Sequence, residues 1–414
     1  MNKIVQKDEE RRLRQRAKAY EKTCEEYSYE ISVLQARTDY IAEFDYFLDL
    51  LTLLLHPAKL KEKVGRPLIG LFCIQAPLEL FHALGVHPVK LCSGSYAAQR
   101  LSAAYLPALM CPMLKSYIGS SEFAASTSTC YDATIVPTTC DWVVKVPEIA
   151  KETITNLHYL ELPHVKQNEK GVRRWLEEIY ALKLFLEQTT GTKLKRQDLM
   201  NSMNTFMRGW KIFQELIELK RKNIISGVWV TVIANTFMLD DITSWAKKIE
   251  LVVKKLQSKQ PAANPRKIFL AGSPIIFPNL KLLQLIEQAG MTVCADDLCS
   301  SERIFPGATV YDDPSEHGLL KALAERYHQA CICPTFADNE RRINTILRIT
   351  ESNNITGVIF HVLKGCHPYD IESLTIEATL RANGRKFLKI ETDYVKEDSQ
   401  NILTRLEAFA QTLA

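Results

Sequence analysis

The sequence predicts an α/β protein built from two doubly wound, Rossmann-like parallel-sheet domains that face each other. The chain has 414 residues, more than one hydrophobic core usually organises. Short apolar runs alternate with helical stretches in two separate blocks, which is typical of βαβ units. A helical region connects the blocks, and another helical segment precedes them. The predicted boundaries are 1–65 for the N-terminal helical segment, 66–168 for the first α/β domain, 169–260 for the helical connection and 261–414 for the second α/β domain.

The N-terminal segment is predicted to be helical from residue 8 to about residue 64, because apolar residues recur at steps of three and four. These positions are Tyr27, Ile31, Leu34, Tyr40, Phe44, Phe47, Leu51 and Leu55. The His56-Pro57 pair ends or kinks the helix, since proline disfavours helical geometry in the residue before it. We expect a helical hairpin that packs on the next domain or on a partner subunit.

Most of the predicted strands lead into a cysteine. In the first α/β domain the candidate strands are PLIGLFC, HPVKLC and ATIVPTTC, which end at Cys73, Cys92 and Cys140. In the second domain they are RKIFLAG, MTVCADD, QACIC, TGVIFHVLKGC and KFLKIETDY, which begin at residues 266, 291, 329, 356 and 386. The segment 260–265 is the predicted linker, because its two prolines stop both helix and strand.

Charge and composition exclude several classes of partner. The 52 basic and 48 acidic residues are spread along the chain, so we expect neither a nucleic-acid nor a membrane-surface partner. The N-terminus lacks the apolar core of a secretory signal, and no uncharged apolar run approaches the ~20 residues that span a bilayer. We therefore expect a cytoplasmic protein. Its 11 cysteines then indicate inert burial, redox chemistry or metal ligation rather than disulfides.

The placement of the cysteines favours an iron–sulfur site. Cys73, Cys92, Cys140, Cys299, Cys333 and Cys366 lie at or just past predicted strand ends, and Cys111 opens a helix as Cys-Pro. Carboxyl ends of parallel strands form the ligand-binding crevice of an open α/β sheet. Two facing domains would bring both sets of thiols into one cleft, where thiolates on short loops can ligate an inorganic core.

Zinc and inert burial are the alternatives. Structural zinc usually takes close C-x₂-C pairs, which this chain lacks, and the predicted strand QACIC would point Cys331 and Cys333 to opposite faces. Cys24, Cys130, Cys294 and Cys331 are expected to fill cores, as free cysteines often do. The sequence also lacks G-x-x-x-x-G-K-[ST] and G-x-G-x-x-G, so any ATP is expected to be bound by another protein.

Collinear motifs resemble those of the 2-hydroxyacyl-CoA dehydratase and benzoyl-CoA reductase family. They are GLFCIQAPLE from Gly70, LMCPMLKS around Cys111, PTTCD around Cys140, GSP from Gly272, DDLC ending at Cys299, GCHPY around Cys366, ETDY from Glu391 and TRLEAF from Thr404. The resemblance runs from about residue 66 to the C-terminus. It implies a 4Fe-4S cluster bound by Cys111, Cys140 and Cys366. It also implies a separate ATP-dependent iron–sulfur activator that supplies low-potential electrons.

Surplus cysteines make the chain more similar to the double-cubane cluster branch of that family. VKLCS around Cys92 and ACICP around Cys333 carry this likeness. The resemblance implies two sulfide-bridged 4Fe-4S units held by six cysteines, with Cys92, Cys299 and Cys333 as the second triad. Cys73 or Cys331 could replace one of these three. A second cluster would fill part of the cleft that a CoA ester needs.

Two further polar residues are catalytic candidates. Glu79 follows Pro77 and could act as a general acid or base, or complement the dipole of the helix that it begins. His367 could hydrogen-bond a cluster sulfur or deliver protons, or be an ordinary loop histidine. Glu391 and Asp393 are expected to order the cleft loops, and Arg405 to form an ion pair.

Three functions are compatible with these features. The first is a double-cubane iron–sulfur reductase that acts on a small molecule, with the single-chain cysteine set favouring a homodimer over a heterodimer. The second is a 2-hydroxyacyl-CoA dehydratase subunit with one 4Fe-4S cluster and a non-identical partner. The third is a non-enzymatic electron carrier.

Overall fold

Two four-stranded parallel sheets with matching strand order form the framework of the molecule. The computed structural model describes residues 2–123, 130–151, 153–166, 168–261 and 266–413, with side chains from residue 6 onward. The first sheet contains β1 (Leu68–Leu71), β2 (His87–Lys90), β3 (Tyr131–Pro137) and β4 (Leu157–Leu160) in the order β2-β1-β3-β4. The second contains β5 (Arg266–Gly272), β6 (Met291–Asp296), β7 (Gly357–Leu363) and β8 (Lys386–Thr392) in the order β6-β5-β7-β8. The predicted fold class is confirmed.

Helices cover the sheets and connect them. They are α1 (Asn2–Gln35), α2 (Asp45–Thr52), α3 (Pro57–Val64), α4 (Leu78–Ala83), α5 (Tyr96–Ala103), α6 (Pro112–Phe123), α7 (Asp141–Ile149), α8 (Glu169–Thr190), α9 (Arg196–Arg221), α10 (Gly227–Asn235), α11 (Ile242–Leu256), α12 (Lys281–Gln288), α13 (Glu316–His328), α14 (Glu340–Ser352), α15 (His367–Ala382) and α16 (Ser399–Thr412). Short 3₁₀ turns span Ala42–Phe44, Leu53–Leu55 and Glu302–Ile304. Among the described residues, no helix is long and apolar enough to cross a membrane.

The central strands explain the continuous apolar runs in the sequence. Every residue of β1 and of β7 is buried, as expected for parallel strands covered by helices on both faces. The edge strand β4 is short and mostly open to solvent, so its LHYL sequence gave no such signal. The helical connection belongs to the core, since α10 is buried from Gly227 to Ala234.

The N-terminal segment contains one long helix and two short ones, rather than a hairpin of two long helices. Helix α1 ends at Gln35, and α2 and α3 follow with a 3₁₀ turn between them. Tyr27 of α1 packs edge-on against Phe277 of the second domain, with ring centroids 5.0 Å apart. Phe44 stacks on Trp229 of α10 at 3.9 Å. The segment therefore packs on this chain's own second sheet unit and helical connection as well as on the first.

The predicted strand QACIC is absent from the structure. Helix α13 ends at His328, and residues 329–333 form an irregular segment. Side chains bond two of its backbone carbonyls, because Arg341 donates to the carbonyl of Gln329 and Lys166 donates to that of Cys331. Side-chain hydrogen bonds here take the place of the backbone hydrogen bonds between strands. The five-residue pattern does not reveal this difference. Residues 262–265 of the predicted linker lie outside the described residues.

Glu30 provides a test of how α1 packs. Its side chain is buried and accepts a hydrogen bond from Gln284 of α12, and burial raises the pKa of Glu30 to about 7. An unfolded glutamate ionises near pH 4.3, so wild-type stability should fall as the pH rises from there through 7. We expect Glu30→Gln to be more stable than wild type by about 1–3 kcal/mol at pH 8 and nearly equal at pH 4.5.

Urea unfolding at the two pH values measures this difference. Glu21→Gln, which changes an exposed residue of the same helix, is the matched control and should show no such pH dependence. A Glu30→Gln variant that gains nothing at pH 8 relative to pH 4.5 would contradict the packing of α1 described above.

Candidate functional site

Cysteines follow the carboxyl ends of five strands. Cys73 and Cys92 come two residues after β1 and β2, and Cys140 follows β3 by three residues. In the second unit, Cys299 follows β6 by three residues, and Cys366 follows β7 by three residues. Their predicted placement at strand ends is confirmed. Cys333 differs, because it lies in the irregular segment after α13.

Three loops from the two sheet units meet directly around Cys111, Cys140 and Cys366. Gly365 has a positive φ of 74°, and an added Cβ would stand 1.8 Å from the carbonyl oxygen of Leu109. Trp142 donates from its indole nitrogen to the carbonyl of Gly365 at 3.3 Å. The loops that carry the three thiols are therefore in contact, and only glycine permits this approach at position 365. The three cysteines pack in or against one apolar cluster.

We name these three thiols the first thiol group. Each of them lies at the start of a helix. Cys140 and Cys366 are the N-caps of α7 and α15, and Cys111 directly precedes α6. Backbone N–H groups of these first turns lower the thiol pKa values, but burial is the larger effect and raises them. Burial, for example, raises the pKa of Cys366 to about 11. The Cys366 and Cys140 thiolates further raise the pKa of Cys111, so the three sulfurs lie near enough to repel one another when charged.

A second thiol group contains Cys73, Cys92, Cys299, Cys331 and Cys333. Burial raises the pKa of Cys73, and the thiolates of Cys333, Cys299 and Cys331 raise it further. Burial raises the pKa of Cys92 to about 11, and the Cys299 thiolate adds to this rise. The Cys299 thiolate also raises the pKa of Cys366, so the two groups adjoin.

The geometry keeps Cys73 and Cys331 among the candidates of the second group. Cys331 is buried, as expected of a core cysteine, but its sulfur accepts a hydrogen bond from Gln75 at 2.6 Å and lies with this group. Cys24 lies on α1, Cys130 precedes β3 at its amino end, and Cys294 packs inside the core of the second sheet unit.

Two cations lie beside the second group. The Arg303 guanidinium donates to the hydroxyl of Tyr369 at 3.1 Å, and its charge lowers the pKa of Cys333, which burial and Cys331 raise to about 12. The amine of Lys166 stands 3.9 Å from the centre of the Phe336 ring, and burial lowers its pKa. Neither residue belongs to a cysteine motif, and neither was therefore predicted from the sequence.

The ligand atoms do not converge as they would on a single ion. Among the described residues, no group of three or more histidine, cysteine or acidic side chains could hold one metal ion. A zinc ion requires all its ligand atoms at about 2.0–2.3 Å from one point. An iron–sulfur core makes a different demand, because it takes each thiolate on a separate iron. The all-thiol chemistry of the first group fits such a core.

Glu79 and His367 lie in contrasting surroundings. Glu79 is completely buried, with its carboxylate paired with Arg326 and accepting from the Tyr327 hydroxyl at 2.9 Å. Both of its oxygens are used in this contact between α4 and α13, which favours a structural role. His367 is exposed at the first position of α15. Catalysis by either residue stays a prediction.

Ser273 supports the first thiol group from the second sheet. Its hydroxyl hydrogen-bonds the Cys366 thiol and lowers its pKa against the larger effect of burial. The same oxygen accepts from the backbone N–H of Leu363 at 3.1 Å. The Gly272-Ser273-Pro274 motif marked this position in the sequence, without indicating its contact.

The family model described as "2-hydroxyglutaryl-CoA dehydratase, D-component" matches residues 73–413. The chain belongs to this family. Among curated relatives, "Putative dehydratase subunit YjiM" of Escherichia coli is 27% identical over 390 residues, covering 91% of this chain and 99% of that protein. The beta subunit of (R)-2-hydroxyglutaryl-CoA dehydratase from Acidaminococcus fermentans is 24% identical, covering 84% and 93%. One of the benzoyl-CoA reductase subunits of Thauera aromatica is 22% identical, covering 74% and 81%.

Proposed function

We propose that this chain is an iron–sulfur reductase subunit whose cluster is bound between the two sheet units. Cys111, Cys140 and Cys366 would ligate it, and a separate ATP-dependent activator would supply its electrons. The substrate would be a small molecule that binds beside the cluster. We also propose that the protein acts in the cytoplasm, as a homodimer.

The contact among the three cysteine loops is the observation that carries this proposal. Leu109, Trp142 and Gly365 bring Cys111, Cys140 and Cys366 together from two separate sheet units. Thiolates at these three positions would repel one another. Positive iron reverses that electrostatic preference and favours the thiolate form.

Charge in the protein suits an anionic sulfur group. The N-termini of α6, α7 and α15 direct backbone N–H groups and their partial positive charge towards the thiols. Arg303 adds a formal positive charge beside the second group. When bound, the cluster would supply one-electron transfer at low potential. The residues of this chain would hold it, exclude water and hydrogen-bond its sulfurs.

The second thiol group supports the double-cubane form of this proposal. Cys92, Cys299 and Cys333 would then hold a second 4Fe-4S unit, with Cys73 or Cys331 able to replace one of them. Five thiols beside the first group exceed what one cluster requires. The adjacency of Cys299 and Cys366 is what a bridged pair of units would need.

A 2-hydroxyacyl-CoA dehydratase subunit with one cluster is the second candidate. The dehydratase names of the relatives favour it. In that case a non-identical subunit would complete the enzyme, and the second thiol group would stay free of metal. A pure electron carrier would bind a cluster without turning over a substrate.

Anaerobic purification followed by iron and acid-labile sulfide analysis tests the proposal. About eight irons per chain support the double-cubane form, and about four support the single-cluster dehydratase. A chain that holds no iron and no sulfide after anaerobic reconstitution contradicts both. Assay with the activator and ATP then separates an enzyme from a carrier.

A further inference from the structure

Tyr394 lies next to both thiol groups, just past the end of β8. Its side chain is 2% exposed and packs in the same apolar cluster as Cys111, Met110 and Leu363. Its ring centre stands 6.3 Å from that of Tyr96. The backbone N–H of Tyr394 donates to the side chain of Asp393 at 2.7 Å, which fixes the chain where it leaves the strand.

The hydroxyl of Tyr394 has no hydrogen-bond partner among the described residues, although it is fully buried. Leaving a buried hydroxyl unpaired destabilises a folded protein, and native proteins pair nearly all such groups. Its neighbour Tyr96 shows the ordinary arrangement, since that hydroxyl donates to the side-chain oxygen of Asn279 at 3.0 Å. The two neighbouring tyrosines therefore differ in whether a group of the described residues accepts a hydrogen bond from the hydroxyl.

The groups near Tyr394 indicate which atoms could accept a hydrogen bond from its hydroxyl. Burial raises the pKa of Tyr394 well above its usual value, and the thiolates of Cys111 and Cys92 raise it further, followed by Tyr96 and Asp393. A tyrosine hydroxyl carries its proton near neutral pH, so that of Tyr394 is available as a hydrogen-bond donor. Cys111 belongs to the first thiol group and Cys92 to the second, so the hydroxyl lies where the two groups adjoin.

We infer that the Tyr394 hydroxyl donates a hydrogen bond to a sulfur of the iron–sulfur group bound between Cys111 and Cys92, and acts as a positioning residue for it. This role rests on the proposed function. A hydrogen bond to a cluster sulfur stabilises the reduced, more negative state and raises the reduction potential. Tyr394 would therefore make the bound group easier to reduce.

The variant Tyr394→Phe tests this role, with Tyr96→Phe as its matched control. Both remove one hydroxyl from neighbouring rings, Tyr394 buried and Tyr96 partly buried, but the Tyr96 hydroxyl already donates to Asn279, whereas that of Tyr394 is unpaired among the described residues. We expect iron content close to wild type in both variants and a more negative midpoint potential in Tyr394→Phe alone, measured by redox titration with electron paramagnetic resonance. An unchanged potential in Tyr394→Phe overturns the inference.

A measurement on wild-type protein covers the case in which Tyr394→Phe loses its iron. After exchange into D₂O, electron–nuclear double resonance of the reduced cluster should detect an exchangeable deuteron close to the iron–sulfur core. This signal should persist in Tyr96→Phe, and its absence from wild type overturns the inference. Wild-type protein that holds a cluster but lacks the deuteron refutes the Tyr394 role alone, whereas iron-free wild type refutes the proposed function as well.

Discussion

Replacement of Cys140 by alanine is expected to reduce the iron bound per chain several-fold and leave an otherwise folded chain. Cys140 is the N-cap of α7, and backbone N–H groups of the first turn approach its sulfur, which is a weak acceptor, so α7 should form without it. It is also less buried than Cys111, which limits the cavity that alanine would leave. Cys140 is one of the three thiols of the first group. Its loss should reduce the iron per chain several-fold, because each thiolate would bind a separate iron.

Iron analysis after anaerobic reconstitution measures this loss, and circular dichroism checks that the helices persist. Cys130→Ala is the matched control, because Cys130 is half-buried like Cys140 but lies at the amino end of β3. It should retain wild-type iron. Full iron retention in Cys140→Ala would count against Cys140 as a ligand and against the assignment of the first thiol group.

The sequence predicted the strand ends well because parallel strands buried on both faces leave a strong signal. Runs such as LIGL and GVIFHVL are wholly buried, so every residue in them is apolar or hydrogen-bonded. The cysteines that follow these strands could then be placed at one edge of each sheet. The strand prediction for QACIC failed because two of its carbonyls bond side chains from other segments, and a five-residue pattern does not reveal such contacts.

The choice of ligands in the second thiol group could not be predicted for a related reason. Cys73, Cys299, Cys331 and Cys333 come from three separate segments, and their spacing depends on how the two sheet units face each other. Tyr394 was missed because an unpaired hydroxyl is a property of its surroundings and not of the ETDY motif. Cysteines at strand ends can be predicted from the sequence. The residues that contact them are seen only in the folded structure.

Buried charged side chains are a further feature that the sequence pattern did not indicate. Lys220 belongs to the predicted helical connection, yet its side chain is completely buried. Its ammonium donates to the carboxylate of Asp296 and, at 3.1 Å, to that of Glu302. Asp296 in turn accepts from the backbone N–H groups of Leu298 and Glu302 at 3.0 and 3.1 Å. This network shapes the loop after β6, which carries Cys299.

Lys220→Met is therefore expected to destabilise the protein strongly. Methionine keeps most of the volume and removes the charge, which leaves the Asp296 and Glu302 carboxylates buried together with only Arg221 beside Glu302. Breaking a buried ion pair in this way costs about 3–5 kcal/mol. Urea unfolding at pH 7 measures the loss. Lys254→Met, which breaks an exposed pair with Glu250 on α11, should leave the stability close to that of wild type.

The pH dependence of the Lys220→Met deficit separates lost charge pairing from lost packing. Burial raises the pKa of Glu302 even though Lys220 lowers it, so removing the lysine should raise that pKa further. A carboxyl whose folded pKa lies above its unfolded value destabilises the native state increasingly as the pH rises through that interval. The deficit of Lys220→Met should therefore shrink as the pH falls from 7 towards 5, since the buried carboxyls then take up protons. A deficit below about 1 kcal/mol at pH 7, or one that is equal at both pH values, would show that the network does not stabilise the Cys299 loop by charge.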